Sequence, residues 1–128
     1  MRETIGFIGG GNMAKSLAGG LIARGHAAHQ ILVSDPVAAQ LDSLAAQLGV
    51  RTTPDNLVVA GEADVVILAV KPQDLRHVAA NLAGALQARR PLVISIAAGL
   101  RGSDIERWLG GIPVVRAMPN RPALQNCG

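Results

Sequence analysis

The sequence is short of the residues that several classes of function require. It has one cysteine, Cys127, so no disulfide can close within the chain. Tyrosine is absent, and Phe7 and Trp108 are the only aromatics, which leaves almost nothing for nucleic-acid bases to stack on. Ten of the twelve basic residues are arginine, but they are scattered, and no basic cluster is longer than the pair Arg89 and Arg90. A net charge of +3 spread this way suits a small anionic ligand better than a nucleic-acid backbone. Long apolar runs are missing too. Residues 65–70 are typical in length, so no membrane partner is expected. The N-terminal residues enter a strand pattern with no signal-peptide layout, and a cytoplasmic location is the expectation. His26 and His29 lack companions at metal-ligand spacing and are read as solvated loop residues. No metal site is expected.

What the chain does have is glycine in one telling place. Residues 5–8 form a short apolar run that ends in Gly9-Gly10-Gly11 and passes into a helical pattern. Gly9, Gly11 and Ala14 fit G-x-G-x-x-G/A, the fingerprint of a dinucleotide-binding turn. Gly9 lets the strand turn sharply. Gly11, without a Cβ, lets backbone approach a pyrophosphate. Ala14 lets the helix pack closely on the strand. The free N–H groups and positive dipole end at the helix start then face the phosphates.

The rest of the chain supplies the βαβ context that the fingerprint needs. At 128 residues it is the size of one domain. The first helix is expected over about 12–24, with Met13, Leu17 and Leu21 as its apolar stripe. A second strand over 31–33 stops at Ser34-Asp35-Pro36. Asp35 lies 21 residues after Ala14, near the spacing of an acid on the adenosine ribose. It also reads as an N-cap with Pro36 at the first helical position, and the two roles are compatible. Ser34 offers a hydroxyl to a 2′-phosphate, but no arginine follows to neutralise it, so NADH and NADPH both stay open.

Further on, Val37, Leu41, Leu44 and Leu48 share one helix face, and a short strand follows at 50–52. Thr53 and Pro54 are expected to cap a helix ending near Gly61, with Asn56 in its first turn. Residues 65–70 are the most apolar strand, as a central parallel strand must be. It ends in Ala69-Val70-Lys71-Pro72, at the carboxyl edge where open α/β sheets bind ligands. Lys71 there is either a cofactor contact or a solvated lysine. Pro72 opens a helix with Leu75, Val78, Leu82 and Leu86 inward and His77 exposed. A fifth strand over 92–96 runs into Ala97, Ala98 and Gly99, which either let a flat ring approach or form a plain turn. Ser103-Asp104-Ile105-Glu106 reads as a capping box, Trp108 and Leu109 as buried, and 112–116 as a sixth strand. The expected fold is α/β: a doubly wound, mainly parallel Rossmann-type sheet in the order 3-2-1-4-5-6, with helices on both faces.

Four separated stretches resemble one family, the pyrroline-5-carboxylate reductases. They are Ile5-Gly6-Phe7-Ile8-Gly9-Gly10-Gly11-Asn12-Met13, Ala69-Val70-Lys71-Pro72, Val93-Ile94-Ser95-Ile96-Ala97-Ala98-Gly99 and Arg116-Ala117-Met118-Pro119-Asn120. The resemblance implies reduction of the C=N bond of 1-pyrroline-5-carboxylate to L-proline by NADPH or NADH. It implies that Ile8, Gly9, Gly10, Gly11, Asn12 and Met13 hold the pyrophosphate. Ser34 and Asp35 would meet the adenosine ribose or its phosphate, and Asn56 would contact the cofactor. Ala69, Val70, Lys71 and Pro72, with Ser95, Ile96 and Ala97, would line the cofactor groove. Met118, Pro119 and Asn120 would lie beside the nicotinamide. No catalytic side chain is assigned. Imine reduction asks the protein to align the cofactor and shield the site rather than to supply an acid of its own.

Arg121 departs from the family loop, which usually has threonine there. The family also has a second, all-helical domain that builds the dimer and supplies substrate-binding residues. The 128 residues hold none of it, so the expectation is the N-terminal half of such an enzyme, homo-oligomeric at full length. Two other readings compete. One is a 3-hydroxyacid or 6-phosphogluconate type of dehydrogenase, which shares the glycine turn but not the Ala-Ala-Gly and Met-Pro-Asn pieces. The other is a regulatory domain that senses NAD(H) without catalysis.

Overall fold

Strand and helix alternate along the whole of the computed structural model, which describes residues 3–97 and 99–117. β1 (Ile5–Ile8) leads to α1 (Asn12–Ala23), and a single 3₁₀ turn precedes β2 (Ile31–Ser34). Then come α2 (Ala38–Leu48), β3 (Arg51–Thr53), α3 (Asn56–Glu62) and β4 (Val65–Leu68). α4 (Pro72–Arg89), β5 (Leu92–Ser95), α5 (Gly102–Trp108) and β6 (Val114–Arg116) complete the described chain. The strands form one sheet in the order β3-β2-β1-β4-β5-β6, and every neighbouring pair is parallel. This is the doubly wound order expected from the alternation of patterns.

Side chains of a strand point alternately to the two faces, so each strand feeds two cores. Phe7, Ile31, Val33 and Ile67 pack with Ala14, Ala18 and Leu44 of α1 and α2. Ile8, Leu32, Val66 and Leu68 pack on the other face with Val59, Leu75, Leu82, Leu86 and Ile105 of α3, α4 and α5. Register aligns the strand ends. Ile8 pairs with both Ser34 and Leu68, Ser34 with Thr53, and Leu68 with Ser95. The turns after β1, β2 and β4 therefore leave the sheet side by side at its carboxyl edge.

α3 lies close against the sheet, and Gly6 is the reason. A Cβ at Gly6 would collide with Val59 Cγ1 and stand 2.8 Å from Ala63 Cβ. Both neighbours belong to α3 or its C-cap, and Val59 and Ala63 are fully buried, so the helix itself would have to move. Gly6→Ala is expected to destabilise the fold by about 1–3 kcal/mol through overpacking. Chemical denaturation should show a lower midpoint at an unchanged slope. An unchanged midpoint would mean that α3 is not seated on β1 as described.

Several local expectations are corrected. In α1 the buried positions are Ala14 and Ala18, Leu17 and Leu21 pack half-buried against the same core, and Met13 is 38% exposed and leaves the expected stripe. Val37 is exposed and precedes α2, so Pro36 does not open that helix. Asp55 caps α3 in place of Thr53-Pro54, its carboxylate accepting from Leu57 N–H at 2.9 Å. The capping box is not formed. Ser103 lies inside α5, and Glu106 accepts instead from Val114 N–H at 3.1 Å, tying α5 to β6. Trp108 is only half-buried, while Leu109 is enclosed. His26 is buried rather than solvated. The chain leaving α1 folds back, with His26 N–H on the Leu21 carbonyl, and neither ring nitrogen has a partner among the described residues. His29 and His77 are exposed, as expected. Among the described residues no helix is long and apolar enough to cross a membrane.

Candidate functional site

The glycine turn after β1 is built from three different constraints. Gly9 has φ +105°, and a Cβ there would stand 2.8 Å from the Ala69 carbonyl oxygen. Its N–H donates to the Ser34 carbonyl at 2.8 Å, while Ala69 N–H donates to the Ile8 carbonyl at 2.8 Å. The turn is thus clamped between the ends of β2 and β4, in a conformation other residues rarely adopt. Gly10 is held from the side: its N–H donates to Asp35 Oδ2 at 2.8 Å, and a Cβ would stand 3.0 Å from Leu44 Cδ1.

Gly11 is different, because a Cβ there would meet nothing within 4 Å. It is the N-cap of α1, and no side chain caps that helix. The fold therefore leaves open space over a helix start whose first amides lack intrahelical acceptors and whose dipole is positive. Space and donors together fit a pyrophosphate.

Above this turn lies a cavity of about 620 Å³, within the range of small-molecule sites. Of the residues singled out from sequence, Gly9, Gly10, Gly11, Asp35, Asn56, Ala69, Val70 and Lys71 line it. They come from the turn after β1, the end of β2, the start of α3 and the end of β4. The cavity thus straddles the point where strand order reverses, between β1 and β4. Asp35 is fixed at its rim. Oδ2 accepts from Gly10 N–H and Oδ1 accepts from Val37 N–H, each at 2.8 Å.

The other candidates lie elsewhere. Ile8 is wholly buried in the core and contributes no surface. Asn12 and Met13 are exposed at the start of α1 but do not form the cavity wall, and neither does Pro72. Ser34 is wholly buried, so its hydroxyl cannot meet the ribose or its phosphate. That hydroxyl stands 2.7 Å from Asn56 Oδ1 and 3.3 Å from the Phe7 carbonyl, and its single proton goes to the shorter contact. Ser34 is therefore a positioning residue that fixes the Asn56 amide in the wall. Ser95 and Ala97 are also buried, the Ser95 hydroxyl accepting from Ala97 N–H at 3.3 Å. Ser95, Ile96 and Ala97 do not reach this cavity. Ala98, Met118, Pro119, Asn120 and Arg121 lie outside the described residues.

The structure adds Pro36, Val37, Gln40, Gln73, Asp74 and His77 to the lining. Asp74 and His77 sit one turn apart on α4, a face that helical spacing alone does not mark as facing a ligand. Among the described residues no group of three side chains is placed to hold a metal ion. The site is made of backbone, small residues and a few polar groups, an arrangement that grips and orients a ligand rather than attacking it.

The family model for the NADP oxidoreductases, coenzyme F420-dependent, matches residues 4–99. The chain belongs to that family. The resemblance to pyrroline-5-carboxylate reductases, first carried by four motifs, extends over nearly the whole sequence. The chain is 48% identical over 125 residues to the Pseudomonas aeruginosa pyrroline-5-carboxylate reductase, covering 97% of this chain and 45% of that protein. A solved pyrroline-5-carboxylate reductase from Coxiella burnetii superimposes with a TM-score of 0.91 at 44% identity, over 98% of this chain and 47% of the other. The Plasmodium falciparum pyrroline carboxylate reductase, solved with NADP bound, gives 0.81 at 26% identity, over 97% of this chain and 45% of the other. The chain spans about half the length of the curated relatives it matches.

Proposed function

We propose that this chain is the cofactor-binding half of an NAD(P)H-dependent pyrroline-5-carboxylate reductase, which reduces 1-pyrroline-5-carboxylate to L-proline. The observation that carries the reading is the open space at Gly11 over an uncapped helix start, in a chain this similar to named reductases. When bound, the nicotinamide supplies the hydride for the C=N bond. The residues of this chain hold and orient. The glycine turn and the first amides of α1 take the pyrophosphate. Asp35 and Asn56 take the adenosine end, with Ser34 behind Asn56. Ala69, Val70 and Lys71 line the path across β4. Asn120 belongs to the same reading through the family motif. The imine carbon must then be enclosed by a second, helical domain and by a partner copy in a homo-oligomer, in keeping with the half-length match. A cytoplasmic location completes the reading, supported by the single cysteine.

A spectrophotometric assay of the full-length product tests this. NADH or NADPH oxidation that depends on 1-pyrroline-5-carboxylate, with no turnover of 3-hydroxy acids, is the expected result. Turnover of a 3-hydroxy acid would replace the substrate class. Tight dinucleotide binding without turnover of either would favour a sensing role.

A further inference from the structure

We propose that one face of the sheet, over β5 and β6, seats a single amphipathic helix from the rest of the full-length protein. The proposal rests on the packing of the sheet and on the half-length match to the relatives, not on the dinucleotide site, so it stands or falls apart from the cofactor reading. The two faces are covered unequally. On one, Val66, Leu68, Val93 and Val114 pack with residues of α3, α4 and α5. On the other, the helices that contribute to the core are α1 and α2 alone among the described residues. Ile94 and Ile96 only edge that core and are half-buried. Alternation puts Leu92, and Val115 opposite Ile94, on the same face, and both are 51% exposed. These four side chains make an apolar strip, whereas parallel sheets keep both faces covered.

The crossovers of this fold do not reach the strip. Successive parallel strands are joined right-handed. β1, β2 and β3 step one way across the sheet and β4, β5 and β6 the other, so their helices fall on opposite faces. A further parallel strand beside β6 would lay its helix with α4 and α5 again. A segment that covers the strip must return across the sheet by another route. The dimensions select its form. Two strands make a strip about 10 Å wide, the diameter of one helix. Residues 92–96 extend about 16 Å, the length of roughly ten helical residues. A footprint of about 160 Å² is far below the about 800 Å² per partner of a stable dimer, which argues against a second copy. A segment of the same protein fits, since this chain spans about half the length of the curated relatives.

The test is thiol labelling of the full-length protein with its native cysteines replaced by serine and one cysteine introduced, in Leu92→Cys or Val115→Cys. Each variant is expected to react at least about tenfold more slowly when native than when denatured, at every protein concentration. Labelling of the native variants at the denatured rate would overturn the proposal. Protection that fades on dilution would also overturn it and would place a second copy on the strip. So would equal protection in residues 1–128 taken alone, because the cover would then be no later segment. Circular dichroism checks folding, and if one variant fails to fold the other carries the test.

Discussion

Gly11→Val is expected to abolish dinucleotide binding in a protein that still folds. The two halves of that expectation come from one observation. A Cβ at Gly11 would touch nothing within 4 Å, so the side chain starts out into open space rather than into the fold. The backbone there has φ −78° and ψ −167°, extended values that valine adopts without strain. Valine is a poorer N-cap than glycine, so a loss of roughly 1 kcal/mol in stability is the most to expect. The space that the branch fills is the approach to the first amides of α1, where phosphate oxygens must come within hydrogen-bond distance. A loss in affinity of about a hundredfold or more, roughly 3 kcal/mol, should follow. Calorimetric titration alongside circular dichroism and a thermal melt checks both halves. The neighbouring glycine behaves oppositely. Gly9 is at positive φ and presses on the Ala69 carbonyl, so a side chain there attacks the fold before any ligand. A folded Gly11→Val protein with undiminished affinity would mean that the pyrophosphate does not cross this turn.

The contrast between these glycines also shows what could be read from the residues and what could not. The strand order and the glycine turn are legible because they rest on local signals: short apolar runs, helical spacing and a fixed G-x-G-x-x-A pattern. What fails is where a local signal competes with a distant partner. The Ser103 to Glu106 pair reads as a capping box, yet Glu106 reaches the N–H of Val114 across the next turn. Asp35 before Pro36 reads as a helix cap, yet one of its oxygens is held by Gly10, 25 positions away. Ser34 and Asp35 look equally available in sequence. Register decides between them: Ser34 is paired on both sides, with Ile8 and Thr53, and only the residue beyond the sheet faces the cavity. Met13 fits the helical stripe, but a helix this close to its sheet buries Ala14 and Ala18 instead. His26 had no sequence signal for burial, since that depends on how the chain turns back after α1. Asp74 and His77 carried none either, because which face of α4 meets the cavity is set by the packing of Leu75, Ala79 and Leu82 beneath it.

Residues 1–128 taken alone are expected to bind NADH or NADPH weakly and to leave 1-pyrroline-5-carboxylate unreduced. The elements that line the cavity fold against one another within the described residues: the turn after β1, Asp35, Asn56 and the end of β4 are joined by the sheet and by short hydrogen bonds. Binding should therefore survive. Reduction asks for more, because the imine carbon must be held against the nicotinamide and water kept away. The cavity offers no arginine for the substrate carboxylate among its described lining, and Lys71 is exposed. Holding reactants in line contributes about 7–11 kcal/mol in well-oriented systems, which corresponds to roughly five to eight powers of ten in rate. Losing most of that alignment should leave turnover at least about 10,000-fold below the full-length protein. The measurement is cofactor oxidation by purified residues 1–128 at saturating NADH or NADPH and saturating substrate, beside the full-length protein at equal concentration. Comparable rates would overturn the expectation and would place the whole substrate site within this chain.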